Sequence, residues 1–156
     1  KVALDGTGYV YITGYTEGIL DGGSVSGDRD VFIAKYNTSG TQQWIKQLGD
    51  TNSTGQDIVA DSSGNVYVTG YTYGDFDGNK NLGSRDIIIV KFNSSGTKQW
   101  TKQYGTSSDD EGKGITLDNS GNIYITGYTR GALYGNTNAG SHDIFLMKLD
   151  SSGIIQ

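Results

Sequence analysis

The chain contains no cysteine, which excludes disulfide staples and thiolate metal sites. Its single histidine is His142, so a metal centre or catalytic relay needing two imidazoles is excluded as well. Basic residues are outnumbered, with 12 Lys and Arg against 17 Asp and Glu and a formal charge of −5. A nucleic-acid backbone or an anionic membrane surface calls for the opposite sign. No apolar run approaches the roughly 20 residues that a membrane-crossing helix needs, so no membrane insertion is expected. No window carries a 3.6-residue apolar stripe, while Gly, Thr, Asn and Ser are dense throughout. Helices should therefore be nearly absent.

What the sequence has instead is repetition. Asn65-Val66-Tyr67-Val68-Thr69-Gly70-Tyr71-Thr72 recurs as Asn122-Ile123-Tyr124-Ile125-Thr126-Gly127-Tyr128-Thr129, and a worn copy runs from Gly8 to Thr16. Tyr11, Tyr67 and Tyr124 lie 56 and then 57 residues apart, as do Asp30, Asp86 and Asp143, and Gly40, Gly96 and Gly153. A fixed period of this length marks a supersecondary unit that cannot bury its own core and must stack on its neighbours.

Four stretches of the second unit read as strands: 65–72, 86–93, 98–104 and 113–118. In the first, Val66 and Val68 alternate with Tyr67, Thr69 and Tyr71, the period of a strand with two distinct faces. The second is apolar on both faces, as in a strand held between two layers. Asn93-Ser94-Ser95-Gly96-Thr97 and Asp118-Asn119-Ser120-Gly121-Asn122 each offer capping side chains and a glycine that tolerates positive φ, so both should turn tightly. The fold class is all-β: β-propeller blades of four antiparallel strands, in about 2.8 repeats of 56–57 residues. The units fall at about 6–61, 62–118 and 119–156, and residues 1–5 match 114–118, the last strand of a unit. Residues 152–156 match 95–99, so the whole chain reads as a segment of one propeller. Closure takes 4–8 blades, so an incomplete ring is expected, completed by blades of the same protein or of another copy of the chain.

Several of these phrases resemble one known family. The Asp110-Glu111 loop, Ile115-Thr116-Leu117-Asp118, the Gly121–Thr129 phrase and Asp143-Ile144-Phe145-Leu146-Met147-Lys148 are similar to the bacterial β-propeller (SBBP) repeat. The resemblance spans essentially the whole chain. It departs at Thr7-Gly8-Tyr9, where other units have Ser-Gly-Asn, and at His142, which replaces the arginine of Arg29 and Arg85. It implies a propeller in secreted or envelope-associated bacterial proteins and no enzymatic activity, since the family is defined by its scaffold. The stretches ending at Trp44 and Trp100 also look like the Gly-to-Trp docking stretch of quinoprotein-type propellers, where the tryptophan packs between blades.

Each chemically suggestive residue has a structural reading beside the functional one. Asp30, Asp86 and Asp143 should accept hydrogen bonds from turn backbone and fix the blade corners. Lys35, Lys91 and Lys148 should pair with a repeat aspartate or extend outward, and the recurrent tyrosines should pack between blades. Asp109-Asp110-Glu111 reads as a solvated acidic turn. His142 has no Gly-x-Ser-x-Gly elbow to serve, and no catalytic residue stands out. Asp75, Asp77, Asn79 and Asn81 place oxygens at every second position, a spacing that can wrap Ca²⁺; the third unit loses both aspartates, and the first keeps Asp21. The loops 17–29, 73–85 and 130–142 vary most between units, and loops on a rigid frame carry recognition. The expected function is a non-catalytic scaffold meeting a protein or other ligand through these loops. One alternative is a carbohydrate-binding propeller using Tyr73, Phe76 and Tyr134 at the loop tips. The other is an enzyme whose active site lies in blades outside this segment.

Overall fold

The computed structural model describes residues 1–20, 27–49 and 51–156. Eleven strands run through them: β1 (Val2–Leu4), β2 (Val10–Thr16), β3 (Asp30–Tyr36), β4 (Gln42–Leu48), β5 (Ser53–Ala60), β6 (Val66–Thr72), β7 (Asp86–Phe92), β8 (Lys98–Tyr104), β9 (Asp110–Leu117), β10 (Ile123–Thr129) and β11 (Asp143–Leu149). They form three antiparallel meanders: β1-β2-β3-β4, β5-β6-β7-β8 and β9-β10-β11. The sheets stack side by side and do not close into a ring, the arrangement of an incomplete propeller.

The sheets are cut out of phase with the sequence units. Residues 1–5 do not end a preceding unit's sheet: β1 pairs with β2, Val2 opposite Ile12 and Leu4 opposite Val10. Likewise β9, read from sequence as the last strand of the second unit, pairs along its length with β10. The cause is the turn chemistry. A tight turn forces the two strands it joins to pair antiparallel, and Asp118–Asn122 is such a turn: its aspartate Oδ1 accepts the Ser120 and Asn122 N–H groups at 2.9 Å each. The same geometry recurs at Asp5, Asn37, Asp61, Asn93 and Asp150, with glycines at positive φ such as Gly40 and Gly96 (both 79°).

Strict alternation builds the two interfaces between sheets. Val66, Val68, Ile88, Val90 and Phe92 of the second sheet pack with Tyr11, Val31 and Ile33 of the first. The intervening Tyr67, Ile87 and Ile89 pack with Ile115, Ile123, Ile125, Met147 and Leu149 of the third. Each buried side chain of this size contributes about 1.5–3 kcal/mol, so the stacking interfaces dominate the stability.

Trp44 and Trp100 clamp these interfaces. The Trp44 indole lies 6.1 Å from the Tyr11 ring and 6.2 Å from Phe92, and its Nε1–H donates to the Ser94 carbonyl at 3.2 Å. It covers Gly96 so closely that a Cβ there would meet its Cδ2 at 2.9 Å, and Trp100 covers Gly153 in the same way, at 3.2 Å. The interblade role expected of the tryptophans is therefore seen at both interfaces.

Topology also separates two ends. The tight turns β1–β2, β3–β4, β5–β6, β7–β8 and β9–β10 lie at one end. The long connections β2–β3, β6–β7 and β10–β11, with the crossings β4–β5 and β8–β9, lie at the other. Both ends are tied between sheets: Lys35 Nζ donates to the Ser94 carbonyl at the short-turn end, and Ser53 N–H donates to the Arg29 carbonyl at the long-loop end.

Candidate functional site

The residues that recur in every unit hold the frame. Asp86 Oδ2 accepts from Leu82 N–H at 2.7 Å, and Asp143 Oδ2 from Ala139 N–H at 2.5 Å, the corner-fixing role expected of them. The recurrent lysines stand over tyrosine rings: Lys35 over Tyr9 at 4.0 Å, Lys91 over Tyr67 at 4.9 Å and Lys148 over Tyr124 at 5.8 Å. Cross-strand pairing places them there, since Tyr67 sits opposite Lys91 and Tyr124 opposite Lys148. Cation–π attraction therefore occupies the lysines.

The acidic stretch before β10 is not a solvated turn. Asp110 and Glu111 open β9 and are 0% and 2% exposed. Glu111 is held by Arg85, by Lys113 and by the Tyr128 hydroxyl, and Arg130 pairs with Asp109 at 3.1 Å. Burial alone would raise the Glu111 pKa, but the hydrogen bonds from Lys113, Tyr128 and Arg85 together outweigh it and hold the carboxyl below its usual value. The same contact, with burial, pushes the Tyr128 phenol up to about 12. These ion pairs close the mouth between the second and third sheets.

Behind that mouth, Asp86 and Asp110 are both fully buried. Asp110 Oδ2 accepts from Thr106 N–H at 2.6 Å and Thr106 Oγ1 at 2.8 Å, while the Oδ1 atoms of Asp86 and Asp110 have no hydrogen-bond donor among the described residues. Burial raises the Asp86 pKa most, the bonds from Leu82 and Gln103 offset part of this, and Asp110 adds to the rise. A carboxyl with a raised folded pKa destabilises once ionised, so stability should fall as pH climbs through that pKa toward neutrality. Asp110→Asn removes one charge and supplies an amide donor. We expect it to add about 1 kcal/mol at pH 7 and to flatten the fall in Tm on the acid side of neutrality; an unchanged Tm–pH profile would contradict the coupling.

The loop aromatics divide. Tyr73 is 45% and Tyr134 52% exposed, but Phe76 is 0% exposed and belongs to the core between the first two sheets. Phe76 therefore cannot meet a ligand at a loop tip. Asp77 and Gly78 (φ 52° and 82°) form a type I′-like turn in which Phe76 and Asn79 exchange backbone hydrogen bonds at 3.1 and 3.0 Å, folding the ring inward. Leu133-Tyr134-Gly135-Asn136 repeats the device, with Tyr134 and Gly135 at φ 52° and 80° and Leu133 buried. Sequence reasoning missed these anchors, although the pattern apolar-x-Gly-Asn recurs 57 residues apart.

The two carboxylates proposed for calcium have other partners. Asp75 pairs with Lys80 and accepts from Asn81 N–H at 2.9 Å, Asp77 pairs with Lys98 and accepts from Thr101 Oγ1 at 2.5 Å, and the Asn79 amide donates to the Phe76 carbonyl at 3.1 Å. Calcium would have to displace two ammonium groups there, and Asp21 lies outside the described residues. His142 Nε2 accepts from Arg130 Nε at 2.9 Å, its ring 4.9 Å from that of Tyr128.

The first mouth differs from the second. Thr54 stands opposite Tyr71 where Glu111 stands opposite Tyr128, and threonine cannot reach across to close the gap. A cleft of about 590 Å³ opens there, lined by Glu17, Asp28, Arg29, Asn52, Thr54, Tyr71 and Tyr73. Another depression, of about 610 Å³, runs along β11, the flank that β4 and β8 cover in the other sheets.

Stacked meanders of three or four strands joined by Trp-on-Gly contacts define a propeller-repeat scaffold. Residues 43–77 and 99–135 match the family model of the SBBP beta-propeller repeat; these two stretches carry this family's repeat. Each match begins in the tryptophan strand of one sheet and ends in the loop after the second strand of the next. The chain is also similar to Regulatory protein FlaEY of Caulobacter vibrioides, 25% identical over 146 residues covering 86% of this chain. The uncharacterized WD repeat-containing protein L264 of Acanthamoeba polyphaga mimivirus is 30% identical over 147 residues covering 82%. The chain spans 15% and 10% of the lengths of these two relatives.

Proposed function

We propose that this segment is a non-catalytic interaction scaffold of a secreted or envelope-associated bacterial protein, and that its long-loop end meets the partner. The observation that carries this reading is the contrast between the two mouths. Both rest on the same frame, yet ion pairs close one, while Thr54 leaves the other open beside an exposed Tyr73. Recurrent Trp and Gly residues are engaged in holding sheets together and recurrent Asp and Lys in fixing loops and strand pairs within them, so variation is concentrated where it leaves the frame intact. The setting is supported by the SBBP resemblance, and the absence of cysteine fits it.

Charge changes at the two ends of the complete native polypeptide test the reading, with retention on isolated cell envelopes as the readout. Asp28→Lys with Asn52→Lys should abolish retention, and Ser63→Lys with Ser120→Lys, on the short turns, should leave it unchanged. Equal loss from both ends, or none from either, would contradict the assignment.

A further inference from the structure

We propose that the open cleft at the first mouth binds a neutral oligosaccharide; this rests on the reading of the long-loop end as the binding end. Among the described residues the lining contains no Val, Leu, Ile or Met side chain, so they offer an apolar peptide anchor no pocket. Two carboxylates, Glu17 and Asp28, flank it and disfavour phosphates and acidic chains. What remains is an interleaved set of donors and acceptors beside an aromatic ring, which matches a pyranose: a rim of hydroxyls that both donate and accept, and a face of C–H bonds that stacks on tyrosine. The volume of about 590 Å³ falls in the range of small-ligand sites.

The site is held before any ligand arrives. Arg29 stands over the Tyr15 ring at 4.5 Å and pairs with Glu17 at 3.4 Å. Asn52 Oδ1 accepts from Asp28 N–H at 2.6 Å, and the Asn52 carbonyl accepts from Tyr73 N–H at 3.0 Å, which fixes both flanks to one residue. The Tyr73 ring has the Arg85 guanidinium 4.9 Å from its centroid and the Tyr71 ring 5.8 Å away at 78°, yet remains 45% exposed. Such ordering lowers the cost of binding.

The molecule supplies its own blocking variant. Glu111, the counterpart of Thr54, closes the second mouth onto Arg85 and Tyr128; Thr54→Glu would face Arg29 and Tyr71 in the same register. The test is calorimetric titration of the complete native polypeptide with cellohexaose, maltohexaose and chitohexaose, and with oligogalacturonate as the acidic probe. At least one neutral glycan should bind. Thr54→Glu and Tyr73→Ala should each weaken it by about tenfold or more, about 1.4 kcal/mol, while Ser120→Lys leaves it unchanged. Tyr73→Ala keeps the test decisive if Thr54→Glu does not fold. No binding of any neutral glycan overturns the proposal but leaves the envelope-retention result standing on its own. Binding that survives both cleft variants places the glycan elsewhere and overturns the site, and preference for oligogalacturonate overturns the ligand class.

Discussion

Arg85→Ala is expected to destabilise the protein by about 3 kcal/mol at neutral pH, because it strips one of two cationic partners from a buried carboxylate. Glu111 is 2% exposed and Arg85 29% exposed, so the charge left behind cannot turn to water. Lys113 still reaches Glu111, at 2.5 Å, and keeps the loss from being larger. The pH dependence identifies the mechanism. In the native protein the Glu111 pKa is lowered, so its contribution to stability is present above the unfolded value of about 4.5 and is lost as pH falls through the folded pKa. Without Arg85 that pKa should move up from its native position, and the penalty should shrink as acid neutralises the carboxyl. A penalty independent of pH would contradict this account. The repeat supplies the control: Arg29 pairs with an exposed Glu17, at 45% and 65% side-chain exposure, and Arg29→Ala should cost under about 1 kcal/mol.

The second large effect separates backbone strain from docking. Gly40 and Gly96 occupy the same turn position with the same φ of 79°, but a Cβ at Gly40 meets nothing within 4 Å, whereas at Gly96 it meets Trp44 Cδ2 at 2.9 Å and Cγ at 3.0 Å. Gly40→Ala should cost roughly 1 kcal/mol for the left-handed conformation alone. Gly96→Ala adds overpacking of roughly 2 kcal/mol, since the indole is wedged between Tyr11 and Phe92 and cannot retreat. Denaturant midpoints at constant slope read the difference directly. Equal costs would mean that the first sheet does not seat its tryptophan on the second.

Much of this frame was legible in the sequence. Period-two alternation from Val66 to Tyr71 and the doubly apolar run from Ile87 to Phe92 placed strands and interfaces, because each side chain's face follows from the pleat. The turns were legible because Asp/Asn, Ser and Gly at fixed offsets act locally. The allocation of β1 and β9 to sheets was misread, although the tight turn at Asp118–Asn122 already required pairing across the supposed unit boundary. The acidic stretch was misread for a different reason. Whether Glu111 is solvated depends on Arg85, a residue 26 positions away that arrives on another sheet, and composition does not carry that distance. Phe76 was hidden by its polar neighbours; only the left-handed pair Asp77 and Gly78 turns it inward. The open cleft was the least legible feature, since it follows from one threonine standing where the next interface has a glutamate.

The central claim is that the recurring Trp and Gly residues are the contacts between blades, and the NMR shift of the Gly96 α-protons tests it most directly. A proton on the side where a Cβ would meet Trp44 lies over the indole ring, so the account predicts a strong upfield ring-current shift at Gly96 and at Gly153 beneath Trp100, with Gly40 ordinary. Trp44→Ala should abolish the shift at Gly96 alone. Indistinguishable, ordinary shifts at Gly40, Gly96 and Gly153 would contradict the stacked arrangement.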